Sequence, residues 1–467
     1  MGLTGSFFTA RRSFPFKKLL LSFQAIPLCI PSLIAILGYV SAFGMQGIFN
    51  SFLMKLFKLE EPPFNFLYSL KGLVFVQGFY NFPIILKSVH DSWRGGSTRL
   101  EKAARLLGAG EKRIFFTITL FRILPAICSS AIIVFLFCFF SFIIVLLFAP
   151  PLFSTLEVEL YLCTKFLSSN QRALILALTE SLTALLFVFL FAVLEQKGKK
   201  NRENTENKEE LESIKGAPAI EKFFFVLYIF LITICFILPF LMIGIKAFFP
   251  LQSSFTITKF LWVIKRPAFY KSLLSSLYTG FFTGLLSTLL GFFTALSLFK
   301  NKNFSTAKVI SFLPMTISSV LVGFIFLKIF RKGNPYTLII SQTVLYWPYA
   351  FRTCLNYLGK IPLSLLQAGE LFTSGKAERL IHFYLPLEKR AVFASFFFCF
   401  ALSIGDATLP LVLSIRGFST LALDTMRYSS AYRFSEASAS ALILFLLTAL
   451  LYFLKSLFEK KQKEGGR

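Results

Sequence analysis

Acidic side chains and histidine are scarce in this chain of 467 residues. Asp and Glu number 23 against 49 Lys and Arg, and there are only two histidines, His90 and His382. These lie in separate polar loops, far apart in sequence. No His-Glu-x-x-His, Gly-x-Ser-x-Gly or Ser/His/Asp spacing accompanies them, so hydrolytic and metal chemistry lack their side chains. The nearest approach to a phosphate loop, Gly369 to Ala377, has one residue too many between its glycines. It also ends in Ala where a Mg²⁺-binding hydroxyl is needed. The sequence therefore implies no enzyme and no cofactor, and any ATP must be bound by another subunit.

Cysteine pairing is missing too. Cys29, Cys128, Cys138, Cys163, Cys235, Cys354 and Cys399 show no Cys-x-x-Cys spacing. Most lie in or beside apolar runs, where a thiol behaves as a small hydrophobe, so neither a disulfide framework nor a metal centre follows. The N-terminus shows no clear small-x-small cleavage site, which argues against a removable signal.

Charge of any kind is sparse, at 15% of residues against roughly 25% in soluble domains. Hydrophobic residues make up 55%, and the mean hydropathy is +0.70. Apolar runs of about 20 residues, the length that crosses a bilayer, recur at 19–43, 68–89, 123–148, 174–194, 223–246, 273–298, 309–330, 336–357, 391–414 and 437–457. The 62 phenylalanines would favour strands in water, but the runs are continuous and do not alternate. A lipid-spanning segment must satisfy its own backbone, so these are helices. The expectation is an all-α polytopic membrane protein with about ten transmembrane helices.

The net charge of +26 follows the same frame. Basic residues gather in short loops between spans: from His90 to Arg122, in the Lys-rich stretch Glu195 to Lys222, and after Tyr452. The positive-inside rule puts these loops, with both termini, in the cytoplasm, and no compact basic domain exists to bind nucleic acid. The mixed-charge run Gln196 to Ala217 has too little apolar surface to fold alone and reads as a linker. The expected division is a first half at 1–195, a charged cytoplasmic linker at 196–221 and a second half at 222–467.

Landmarks repeat in the same order in both halves. Phe-Phe-Thr-Ala occurs at Phe7 to Ala10 and at Phe292 to Ala295, and Ala-Leu-Ile-Leu at Ala173 to Leu176 and Ala441 to Leu444. Between them each half has a Pro-ended basic loop, Glu101 to Pro125 and Gln367 to Pro386. Duplicated halves are a common way to build a transport pore. The second half has about 70 residues ahead of its Phe-Phe-Thr-Ala that the first lacks. The counts expected are four spans and six, with the first two of the first half absent, either through an upstream start codon or because that half is short.

The first loop, Leu100 to Pro125, resembles the EAA loop of ABC-importer permeases. Ala103, Ala104 and Gly108 match, Lys102 stands at the Glu position with Glu101 one residue early, and Phe121 replaces the first Pro while Pro125 remains. The second loop keeps Ala368, Leu385 and Pro386, with Gly369 for the second Ala and Thr373 for the Gly. A short helix of small residues ended by Gly can fit a groove in a partner, and a Pro near the start of the next helix costs little. Ser403-Ile-Gly-Asp406, Thr420-Leu421, Tyr428 to Arg433 and Ala441 to Leu444 are similar to the end of thiamine-type permeases. Ser141-Phe142, Thr155-Leu156-Glu157 and Tyr161 match the same group, and the fused iron(III) permeases share the layout.

The resemblance implies two type I importer halves in the cell inner membrane. It further implies two copies of an ABC ATPase on the loops, a substrate-binding protein delivering thiamine or iron(III), and lipid around the spans. On physical grounds Asp406 stands out, because a charge in an apolar span costs about 2.5–3.5 kcal/mol and usually faces the bundle interior. Asp406, Ser403 and Ser141 are the candidate pathway residues, with Asp406 suited to a cation such as thiamine. Glu157, Glu159 and Arg433 fall in external loops, solvated or against the binding protein. Gly280 and Gly284 form a Gly-x-x-x-Gly pair for close helix contact. A proton-coupled secondary transporter would also use repeated halves but needs no paired loops, and a membrane scaffold would need no intramembrane acid.

Overall fold

The computed structural model describes residues 1–23, 30–94, 99–150, 153–167, 170–200, 212–249, 257–300, 317–359, 361, 365 and 375–460. Nearly all of these are helical, and the one sheet is a two-residue parallel pairing of β1 (Arg12–Ser13) with β2 (Glu212–Ser213). In chain order the helices begin with α1 (Gly2–Arg11), a six-residue helix Lys17–Ser22, α2 (Ser32–Phe43), α3 (Ile48–Phe57), α4 (Leu70–Arg94), α5 (Arg99–Leu106) and α6 (Glu111–Ile114). Then come α7 (Leu120–Phe139), α8 (Phe142–Phe148), α9 (Leu156–Leu162), α10 (Asn170–Lys200), α11 (Ala219–Ile232) and α12 (Leu238–Phe248). After β2 and α12 follow α13 (Thr258–Lys265), α14 (Pro267–Lys300), α15 (Ser319–Phe330), α16 (Pro335–Leu358), α17 (Lys376–Arg379) and α18 (Leu385–Gly405). The last three are α19 (Thr408–Leu413), α20 (Leu421–Ser430) and α21 (Phe434–Lys460).

Among the described residues seven helical stretches are long and apolar enough to cross a membrane: Ser32–Phe57, Leu70–Arg94, Glu111–Phe139, Gln171–Leu194, Ala219–Phe248, Pro267–Phe299 and Phe434–Phe458. Helices α15, α16 and α18 cover three further apolar runs read from the sequence. The chain is therefore a multi-pass all-α membrane protein. Three of the expected spans are differently drawn among the described residues. The first lies at Ser32–Phe57 where 19–43 was expected, residues 24–29 being outside the described ones. The run 123–148 is broken after Phe139 into α7 and α8, and 391–414 is broken at Asp406 into α18 and α19. The last break has a local cause, since the Asp406 carboxylate caps the new helix. The residues 309–316 of another expected span lie outside the described ones.

The chain divides into two compact units. One comprises 1–28, 34–159 and 174–245, the other 29–33, 160–173 and 246–467. In the first, Phe8, Leu20, Phe82, Leu86, Tyr228, Ile232 and Phe236 form one apolar core, so α11 packs with α1 and α4. Tyr39 donates to the Cys235 carbonyl at 3.0 Å. The Arg12 guanidinium grips Glu221 with two bonds of 2.8 Å. In the second unit α14 packs along α16 and α18, with Phe292, Leu296, Phe351, Cys354, Leu358 and Ala391 between them. Close approach here depends on glycine. A Cβ on Gly280 would meet Phe400 Cε2 at 2.5 Å, one on Gly284 the Phe396 carbonyl at 3.2 Å, and one on Gly291 the Phe351 nitrogen at 2.5 Å.

Both units repeat one local design. A one-turn helix (α6, α17) runs into a π-helical segment (Phe115–Thr119, Leu380–Tyr384) and on into a long helix (α7, α18). That helix breaks and a short one follows (α8, α19). The same offset in sequence relates Gln77 to Gln342, Pro83 to Pro348, Ser141 to Asp406 and Thr155 to Thr420.

Candidate coupling loop and intramembrane polar cluster

The first candidate coupling loop is a built element. Helix α5 ends in a Schellman turn, in which Gly108 N–H donates to the Arg105 carbonyl and Ala109 N–H to the Ala104 carbonyl, both at 2.9 Å. Gly108 occupies the left-handed region at φ +80°, which explains why Gly stands four residues after Ala104. Ala103 and Gly108 are exposed, and Leu106 and Leu107 are 90% and 87% exposed, presenting an apolar tip beside Lys102 and Arg105. The opposite side is anchored. Glu101 is buried, and its Oε1 accepts from the Thr119 hydroxyl at 2.8 Å and from Arg122 at 3.2 Å. Arg105 is held by Glu111 at 2.6 Å.

Sequence reasoning named Ala103, Ala104 and Gly108 and saw Glu101 only as a shifted motif residue. Its anchoring role was available from one signal, the appearance of Arg122 and Thr119 a few turns downstream. Pro386 stands second in α18, near a helix start as expected, whereas Pro125 lies inside α7. Each lies within a continuous helical run just after a π-helical segment. In these segments Leu120 N–H reaches the Phe115 carbonyl and Leu385 N–H the Leu380 carbonyl. The widened turn lets the chain absorb a proline that cannot donate. Leu385 is exposed. Ala368, Gly369 and Thr373 lie outside the described residues.

Asp406 and Ser403 come together in the second unit. Asp406 Oδ1 accepts from the backbone N–H groups of Thr408 at 2.9 Å and Leu409 at 3.3 Å, capping α19. Its Oδ2 accepts from Gln342 Nε2 at 3.2 Å, and Tyr346 adds a hydroxyl bond. Gln342 Oε1 accepts from Ser403 at 2.5 Å and from Thr283 at 3.2 Å, so α14, α16 and α18 share one buried network. Gln342, Thr283 and Tyr346 carried no separate signal in the sequence. Gln342 could have been found only by its repeat at Gln77. Ser141 stands in the first unit, at the break that corresponds to Asp406, and its side chain does not cap α8. Glu157, expected in a solvated loop, is 1% exposed within α9. Among the described residues no cluster of three potential metal ligands occurs.

With this geometry in hand, known proteins bear on the chain. Residues 287–464 match the family described as "Binding-protein-dependent transport system inner membrane component". The chain is similar to the thiamine transport system permease protein ThiP of Brucella suis biovar 1, 24% identical over 98% of this chain and 83% of ThiP. It is also similar to the molybdenum transport system permease protein ModB of Escherichia coli K12, 31% identical over 29% of this chain and 56% of ModB. The matched region thus spans about half of ModB. A third relative is the putative 2-aminoethylphosphonate transport system permease protein PhnU of Salmonella typhi, 28% identical over 29% of this chain and 46% of PhnU. Residues 287–464 of this multi-pass membrane chain thus match the inner-membrane component family of binding-protein-dependent transport systems, and nearly the whole chain is similar to ThiP.

Proposed function

We propose that this chain is the membrane permease of an ATP-driven importer and that its substrate is thiamine. An extracytoplasmic binding protein delivers the substrate, and two copies of a separate ATPase dock on the cytoplasmic loops. Both termini and the basic loops face the cytoplasm of the cell membrane in this reading. The observation that carries it is the likeness to ThiP, which runs through both halves rather than one. The exposed Leu106 and Leu107, on a helix end fixed by Gly108 and by Glu101, supply a surface of the kind an ATPase groove would accept.

The network around Asp406 supports a part for that residue in holding α18 and α19 at the end of the pathway. Its carboxylate is already engaged by four donors. A second substrate reading, molybdate, draws on the higher identity to ModB, although that match covers 134 residues only. Uptake of radiolabelled thiamine and molybdate, with the neighbouring ATPase and binding protein co-expressed, separates the two. Thiamine uptake that needs ATP supports the proposal, and molybdate uptake without thiamine uptake overturns its substrate.

A further inference from the structure

An aromatic-basic cluster sits where two membrane spans of the second unit begin. Helix α13 is short and amphipathic and packs against α21. Its Trp262 carries the Arg266 guanidinium over the ring at 3.6 Å and that of Arg433 at 4.6 Å, and Arg433 also lies 5.5 Å from the Tyr428 ring. Two cations on one indole draw their positive charge together, an arrangement favoured when an anion is shared between them. Glu436, largely buried, takes one bond from Arg433 at 3.2 Å. Lys265 and Lys271 are exposed nearby in sequence, and among the described residues no carboxylate pairs with Arg266, Lys265 or Lys271. Of these four cations only Arg433 meets a carboxylate, Glu436, among the described residues. Tyr270 and Tyr432 are also exposed.

The position of the cluster identifies its occupant. Arg266 immediately precedes the span Pro267–Phe299, and Arg433 immediately precedes the span Phe434–Phe458. Both sit at the level where a spanning helix leaves the hydrocarbon, and Trp, Tyr, Lys and Arg at that level meet lipid headgroups. We infer that Trp262, Arg266 and Arg433, with Lys265 and Lys271, bind the phosphate of an anionic phospholipid and fix the shared end of α14 and α21 at the membrane surface. This property is independent of the solute carried.

Purified protein taken from vesicles of phosphatidylglycerol and phosphatidylcholine in equal parts tests it, with retained lipid counted by native mass spectrometry. The wild-type chain is expected to retain phosphatidylglycerol over phosphatidylcholine by about fivefold or more. R266Q/R433Q is expected to lose most of that preference. Should this variant fail to fold, K271Q, which leaves the stack on Trp262 intact, is expected to reduce the preference, and R266K/R433K to preserve part of it. Equal retention of both lipids by the wild type overturns the inference, as does an unchanged preference in both Gln variants. Release of the lipid by free glycerol phosphate at the same concentration as by soluble phosphatidylglycerol would assign the site to a soluble anion and overturn the lipid assignment.

Discussion

At Asp406 one oxygen atom decides what the residue can do. Oδ1 caps α19 through two backbone N–H groups, and Oδ2 receives Gln342 Nε2. An Asn there would keep the cap but turn an amide N–H₂ toward the Gln342 amide. Gln342 cannot flip to answer it, because its oxygen already accepts from Ser403 and Thr283. Asp406→Asn is therefore expected to lower stability by about 1–3 kcal/mol. Thermal unfolding of the solubilised protein should show the loss together with reduced uptake; normal stability with reduced uptake would return Asp406 to a pure pathway role. Glu101 is the second such residue. Removing it takes away the buried carboxylate that Thr119 and Arg122 share, and Glu101→Ala is expected to destabilise the loop by about 3 kcal/mol. Faster proteolysis between Arg99 and Glu111 in the variant would register this, and an unchanged cleavage rate would count against the anchor.

Among the elements, the loop around Gly108 and the glycine-lined helix contacts differ in what they ask of the backbone. Gly108 sits at φ +80° with open space around a would-be Cβ, so its constraint is conformational and not steric. Gly108→Ala is expected to cost about 1–2 kcal/mol by strain alone. Gly110, also in open space but at φ −69°, meets no such strain, so Ala there should lose only the N-cap preference for Gly and cost less. Uptake assays and co-purification of the ATPase on the two variants check the contrast. Gly291 is the reverse case, since a Cβ would strike the α16 backbone 2.5 Å away. The helices themselves were legible, because apolar length in a bilayer leaves the backbone no alternative. The loop was legible where a residue's conformation fixes its identity, as at Gly108 or Ala104. The π-helical segments and the prolines inside continuous helices were not, since their cause is a hydrogen-bond register that residue types do not encode. The Gln342 network was hidden for a related reason: Thr283, Gln342 and Ser403 come from three helices, and only packing brings them together.

Over the whole chain, the charged run at 196–217 was the obvious place to divide the sequence, because composition changes there most sharply. Packing marks a different edge. The span Ala219–Phe248 gives Tyr228, Ile232 and Phe236 to the core formed by Phe8, Leu20, Phe82 and Leu86, and the compact first unit continues to residue 245. Three contacts reinforce this: the β1–β2 pairing, the Arg12–Glu221 ion pair and the Tyr39 bond to Cys235. Within a bilayer these side chains exchange lipid contacts for protein contacts, so close packing and the Tyr39 bond, and not transfer from water, hold the span in the first unit. A chain cut within the linker is therefore expected to leave Phe8, Phe82 and Leu86 uncovered in its first fragment. A first fragment ending after residue 245 should be the more stable one. The two can be expressed separately, each with the remainder of the chain, and compared by yield and monodispersity in detergent. The fragment ending at 245 should survive solubilisation alone, whereas the one ending near 205 should need its complement. Equal behaviour would mean that α11 adds little to the first unit and that the sequence boundary is the folding boundary as well.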